Sequence, residues 1–167
     1  RMEDRVASLT TIGTPHLGTS YADWGVRRFD CLLAASRTFG LSLDGIRDLT
    51  RERCRRFNEE SAAYEAGNGV LYRTVAGSQP PERIFLPMRF ASRIIQGEEG
   101  ENDGLVPVSS AVWKEACHLA TIDADHLNEI GWWNPSEGRA GVSRKAFEAR
   151  IRRFYLDLAS GLEDKTP

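Results

Sequence analysis

The chain has 167 residues, of which 41% are hydrophobic and 28% charged, within the range of one globular domain and outside the disordered and collagen-like classes. A formal net charge of -2, with arginines scattered along the chain rather than gathered with aromatics, argues against nucleic acid as a partner. No apolar run approaches the roughly 18 residues needed to cross a bilayer, so no transmembrane segment is expected, and residues 1–5 lack the pattern of a signal peptide.

Residues 6–12 form a β-branched, nearly continuous apolar run closed by Gly13-Thr14-Pro15, which predicts a central parallel strand covered on both faces. A chain that begins inside such a strand needs neighbouring strands from elsewhere, so a truncated start is expected. Over residues 19–66 the pattern turns helical, with Leu32, Leu33, Phe39, Leu41, Leu43, Ile46 and Leu49 interrupted by Gly40 and Gly45, as in short helices joined by loops. Thr50 is placed to cap a helix that carries Cys54, Phe57, Ser61 and Tyr64 on one face and ends at Gly67-Asn68-Gly69. Arg51, Arg53, Arg55 and Arg56 form its solvated side.

Residues 70–76 read as a second strand, broken by Gly77-Ser78-Gln79-Pro80-Pro81. A long polar stretch follows, in which Glu98, Glu99, Glu101 and Asp103 among Gly97, Gly100 and Gly104 predict an exposed loop. Residues 118–123 read as a third short strand, with Asp125 and His126 in the turn after it. Ser143 then caps an amphipathic helix with Phe147, Ile151, Phe154, Tyr155, Leu158 and Leu162 in one stripe. Cys31, Cys54 and Cys117 make neither a CxxC pair nor a dense framework, so free thiols are expected. A Cys31–Cys54 disulfide is the minority reading and requires export.

Strands separated by helical stretches suggest a parallel sheet, whose active-site groups lie in loops at the carboxyl ends of strands. His16, Asp103 and His126 fall in such loops. An acid followed by a histidine is the order that closes a serine-hydrolase triad on this kind of sheet. The histidine would take and return the serine proton, and the acid would fix its tautomer and stabilise the imidazolium. Composition alone leaves a surface histidine and an ordinary Asn-Asp-Gly turn as the simpler reading.

Four strings carry a resemblance: Thr11-Ile12-Gly13-Thr14-Pro15-His16-Leu17-Gly18, Leu49-Thr50 with Phe57-Asn58, Asn102-Asp103-Gly104-Leu105-Val106, and His126-Leu127-Asn128-Glu129-Ile130. In this order and spacing the chain resembles the bacterial triacylglycerol lipases of the α/β-hydrolase fold, in their C-terminal part. The resemblance implies Asp103 as triad acid, His126 as triad base and a supporting structural role for His16. It also implies a core strand and loop in residues 1–18, a helical cap or lid in 19–66 that covers the acyl pocket, and a C-terminal core in 67–167. No serine here is flanked by glycines two before and two after, so the nucleophile is expected upstream, and these residues alone are expected to be inactive.

The implied function is a carboxylic ester hydrolase acting on acylglycerols or other esters, joined to an N-terminal part with the nucleophile; secretion is implied by family alone. Acyl transfer on the same scaffold and a catalytically silent lipid-binding module are the alternatives. Two departures stand out. The family often holds calcium through an Asp two residues after the triad histidine, where Asn128 is found, with Trp132 and Trp133 beyond it. A neutral amide is a poor substitute for a carboxylate on a hard dication. Ser109 stands near the place of a frequent family cysteine. No cofactor is therefore expected.

Overall fold

The computed structural model describes residues 5–28 and 44–163. Cys31, Leu32, Leu33, Phe39, Leu41 and Leu43, and with them the question of a Cys31–Cys54 bridge, lie outside the described residues. The strands are β1 (Ser8–Ile12), β2 (Leu71–Gly77) and β3 (His118–Ile122). They form a parallel sheet in the order β1-β2-β3. Parallel neighbours cannot be joined by hairpins, so each connection must cross over the sheet. The first crossover holds a helix α1 over residues 20–28, then α2 (Asp44–Asp48) and α3 (Arg51–Gly67). The second holds α4 (Arg89–Glu98) and α5 (Val108–Val112). After β3 come α6 (Pro135–Arg139) and α7 (Arg144–Glu163). A parallel sheet with helical crossovers is an α/β arrangement.

The most buried strand is β2 rather than β1: residues 73–77 are buried, whereas β1 lies at the edge of the described sheet with Leu9 48% exposed. The expectation of a strand covered on both faces thus belongs to β2. Its Ala76 packs with Val106 and Ala111 in the core, and Thr74 Oγ1 donates to Val112 O at 3.0 Å. A register shift at Thr74/Val75 separates the pairing of Thr74 with His118 from that of Gly77 with Ile122, a local irregularity of the kind that re-aims neighbouring side chains.

The helices follow their sequence signals unevenly. Ser143 Oγ accepts from Ala146 N at 3.2 Å, capping α7 as its spacing predicts, and Phe147 and Ile151 are buried. Thr50 precedes α3 but does not cap it with its side chain; its Oγ1 donates to Arg47 O. On α3 the expected inner face is open, with Phe57 65% and Tyr64 55% exposed. On its outer face Arg55 and Arg56 pair with Glu52 and Glu59. The polar stretch after β2 contains α4, which sequence reading takes for loop. The signal was there in Ala91 and Ile95 at helical spacing, and both are buried.

Candidate active site

Asn102, Asp103 and Gly104 make a buried turn, not the exposed loop expected: Asn102 is 2% and Asp103 0% exposed. The polar side chains go inside because the backbone satisfies them. Asn102 Oδ1 accepts from Gly104 N, and its Nδ2 donates to Gly100 O and Ser92 O. Asp103 Oδ1 accepts from Leu105 N at 2.8 Å and Val106 N at 2.7 Å. Gly104 has φ 107° and would drive a Cβ to 3.1 Å from Ile84, so the turn requires glycine.

With Oδ1 so engaged, Asp103 Oδ2 lies 2.8 Å from His126 Nδ1. His126 N also donates to Asp103 O at 2.9 Å, fixing the two loops at both side-chain and backbone level. The histidine side chain is 32% exposed and the aspartate's 1%: a buried carboxylate backs a ring that is partly open. The Asp103 hydrogen bond raises the His126 pKa above its ordinary value, against the opposing effect of burial. Because Nδ1 is bound to the carboxylate, Nε2 is the ring nitrogen available for proton exchange.

The turn that presents His126 is built around Asp125. Its Oδ1 accepts from Leu127 N and Asn128 N, and its Oδ2 from Phe85 N and Asn134 Nδ2. Tyr155 of α7 donates its hydroxyl to Glu129 O at 2.7 Å. Burial pushes the Asp125 carboxyl up, opposed by the backbone N–H bonds from Asn128, Phe85 and Leu127. Sequence reading places Asp125 in the turn without giving it this part.

Glu129 is the residue whose importance sequence reading missed. It is 2% exposed, its Oε2 is 3.6 Å from His126 Nδ1, and its Oε1 is buried with no hydrogen-bond partner. Its carboxyl fills the notch left by two glycines at the strand ends: a Cβ on Gly13 or on Gly77 would overlap it. Burial, then the charges of Asp103 and Asp125, push its pKa up to about 9, so at neutral pH it is a neutral acid. The signal in sequence is its place three residues after His126, one helical-turn spacing away.

His16 is not among the contacts of this group. Its Nε2 is 2.8 Å from Thr11 Oγ1 and its ring stacks on Trp113 at 4.8 Å between centroids. Asn58 links the two, donating from Nδ2 to His16 O and accepting at Oδ1 from Trp113 Nε1. Trp113 has φ 59°, a strained conformation for a large side chain that these contacts hold in place. Burial lowers the His16 pKa. A cleft of about 370 Å³ lined by Leu9, His16, Phe57, Tyr64 and Trp113 opens on this side.

The geometry thus gathers Asp103, His126 and Glu129 at the carboxyl ends of β1, β2 and β3, with ligand-capable atoms all within 4.8 Å of one another. A curated relative, triacylglycerol lipase 2 of Saccharomyces cerevisiae, is 28% identical over 169 residues, covering 96% of the chain and 49% of the relative. The chain is related to the lipases. It spans about half the length of that curated relative. The crystal structure of the mature Bacillus licheniformis lipase BlEst2 is 25% identical with TM-score 0.57, over 74% of this chain and 49% of that one. The Staphylococcus hyicus lipase, at 17% identity and TM-score 0.59, over 94% of this chain and 56% of that one, shows the shared fold. No protein-family description matches the chain.

At the place of the calcium ligand that the resemblance implies stands Asn128. Asn128 is fully buried, its Oδ1 accepts from Asp125 N and its Nδ2 donates to Trp132 O. Calcium favours several carboxylate and carbonyl oxygens converging on one point, and here the amide is used within the protein. The thiols of Cys54 and Cys117 are free and half-buried. Among the described residues no helix is long and apolar enough to cross a membrane.

Proposed function

We propose that the complete protein is a carboxylic ester hydrolase, with acylglycerols as its substrate class, in which His126 is the base and Asp103 the acid of a serine triad. The observation that carries this reading is the 2.8 Å contact of Asp103 Oδ2 with His126 Nδ1, formed by a buried carboxylate whose other oxygen holds two backbone amides. In this mechanism His126 Nε2 takes the proton of a serine hydroxyl as the hydroxyl oxygen attacks the ester carbonyl. The ring then returns that proton to the departing alcohol oxygen, and a water repeats the sequence to release the acid. Asp103 keeps the proton on Nδ1 and offsets the charge that appears on the ring.

The serine is supplied from outside these 167 residues, since none of their serines stands in the glycine-flanked turn that exposes such a nucleophile. Two supporting regions follow from the same reading. Residues 19–66 serve as the cap over the acyl pocket, and His16 supports the loop after β1 through Thr11 and Trp113. The experiment is to treat the complete protein with a fluorophosphonate, which modifies activated serines, and to measure hydrolysis of short- and long-chain glycerol esters. Labelling at one upstream serine together with ester hydrolysis is expected; an unlabelled, inactive protein would contradict the proposal and favour a silent lipid-binding module.

A further inference from the structure

The mechanism above uses the Nδ1 side of His126 only for Asp103, yet a second acid is buried there. Glu129 is 2% exposed, and its Oε1 has no hydrogen-bond partner. That oxygen is turned toward the group rather than to water: a Cβ on Gly77 would overlap it while lying 3.1 Å from Asp103 Cβ. Among the described residues, the ion pairs of Asp103 and of Glu129 are with His126. Two carboxyls and one imidazole nitrogen thus converge, with their ligand-capable atoms within 4.8 Å of one another.

We propose that Asp103, His126 and Glu129 form a binding site for a divalent transition ion of the zinc class, and that the bound ion switches the ester hydrolase off. The inhibition rests on the ester-hydrolase reading; the site itself does not. The separations suit such an ion. Zinc holds imidazole nitrogen and carboxylate oxygen at about 2.0–2.2 Å in a tetrahedron, which sets neighbouring ligand atoms about 3.4 Å apart. His126 Nδ1 stands 3.6 Å from Glu129 Oε2 and 2.8 Å from Asp103 Oδ2. The ring therefore has to back away from Asp103 by about half an ångström, and it is the partly open member of the group. Asp103 is the fixed anchor, since its Oδ1 stays on the Leu105 and Val106 amides. A nitrogen in the donor set selects zinc over calcium or magnesium, which take oxygen ligands.

The exchange balances in protons and charge, and nothing is oxidised or reduced. The ion displaces the proton of the Glu129 carboxyl, which leaves to solvent. It also takes the Nδ1 lone pair of the neutral ring, so the single imidazole proton moves through solvent to Nε2. One dication then faces two carboxylates and a neutral ring, and the group carries no net charge. An Nε2 that already holds its proton has no lone pair to accept one from a serine hydroxyl. Metal on Nδ1 and general-base catalysis at Nε2 are therefore mutually exclusive.

The test uses the complete protein, zinc chloride and a p-nitrophenyl ester in a non-coordinating buffer, with Cys31→Ser, Cys54→Ser and Cys117→Ser removing competing thiols. Zinc is expected to bind in calorimetry and to stop hydrolysis, and a chelator to restore it. Glu129→Gln keeps the shape and withdraws one ligand. It is expected to weaken both binding and inhibition by about tenfold or more, since losing even an outer-shell partner costs about 10–100-fold in metal affinity. Inhibition of each variant is read against its own zinc-free rate. His126→Ala, at a partly open side chain, is expected to show the same loss of binding should Glu129→Gln fail to fold. Zinc affinity unchanged by these substitutions, or no zinc binding at all, would overturn the proposal, as would zinc held by these residues with hydrolysis undiminished. A complete protein with no esterase activity would instead sink the hydrolase reading, and calorimetry would then decide the metal site alone.

Discussion

The hydrogen bond from His126 to Asp103 does two things that a pH profile separates. It raises the affinity of the ring for a proton, and the proposed mechanism requires the neutral ring. The acid limb of kcat/KM is therefore expected to inflect above the ordinary histidine value of 6.5, and an inflection below it would contradict the assignment. Stability runs the opposite way. A folded pKa above the unfolded one contributes stability that is fully present below pH 6.5 and is lost as pH rises through the folded value. The acid conditions that would switch off the proposed base are those in which its ion pair with Asp103 contributes most. His16 provides the contrast at this scale. It stacks on Trp113 and bonds Thr11, so His16→Ala is expected to lower the melting temperature while leaving kcat within a few-fold of wild type. A kcat loss of the size expected for His126→Ala would move it into the catalytic group.

Elements set these residues in place through strand ends and turns. Gly77 closes β2, and a Cβ there would overlap the Glu129 carboxyl and lie 2.8 Å from Ala124 O. Because one obstacle is backbone, the strain cannot be relieved by a rotamer change. Gly77→Ala is expected to destabilise the fold by about 1–3 kcal/mol, the usual range for overpacking, read by denaturant unfolding; an unchanged midpoint would show that the strand end is looser than described. How far the elements were legible follows from which signal each one carries. β1, β2, β3 and α7 are visible as β-branched runs and an apolar stripe at helical spacing. α4 is hidden because Arg, Ser and Gln separate its few apolar residues, and the Asp103 turn reads as exposed because its polarity is satisfied by backbone amides of the same turn. A sequence shows that Asn, Asp and Gly favour a turn, but not that a sheet will be closed over it. The order of Asp103 and His126 was legible for a chemical reason, whereas Glu129 became visible only when Gly13 and Gly77 were seen to make room for it.

For the molecule as a whole, the buried acid Glu129 contributes to the expected dependence of stability on pH. Burial, then the charges of Asp103 and Asp125, push its pKa up to about 9 from the 4.5 of an unperturbed glutamate. The folded state thus holds a proton that the unfolded chain releases. This contribution is fully present below pH 4.5 and is lost as pH rises through about 9. Glu129→Gln is expected to flatten that decline, so that denaturation midpoints of variant and wild type diverge between pH 5 and pH 9 in favour of the variant; parallel curves would show that the carboxyl is already ionised. Metal enters at the same scale. With Asn128 committed to Asp125 and Trp132, chelation of calcium is expected to leave the melting temperature unchanged, and a clear drop would reveal a donor set elsewhere. The account as a whole stands on His126 as the base of an ester hydrolase. The most direct measurement is steady-state ester hydrolysis by the complete protein carrying His126→Ala: kcat is expected to fall by about 10³-fold or more with KM little changed, and a near-normal kcat would contradict the account.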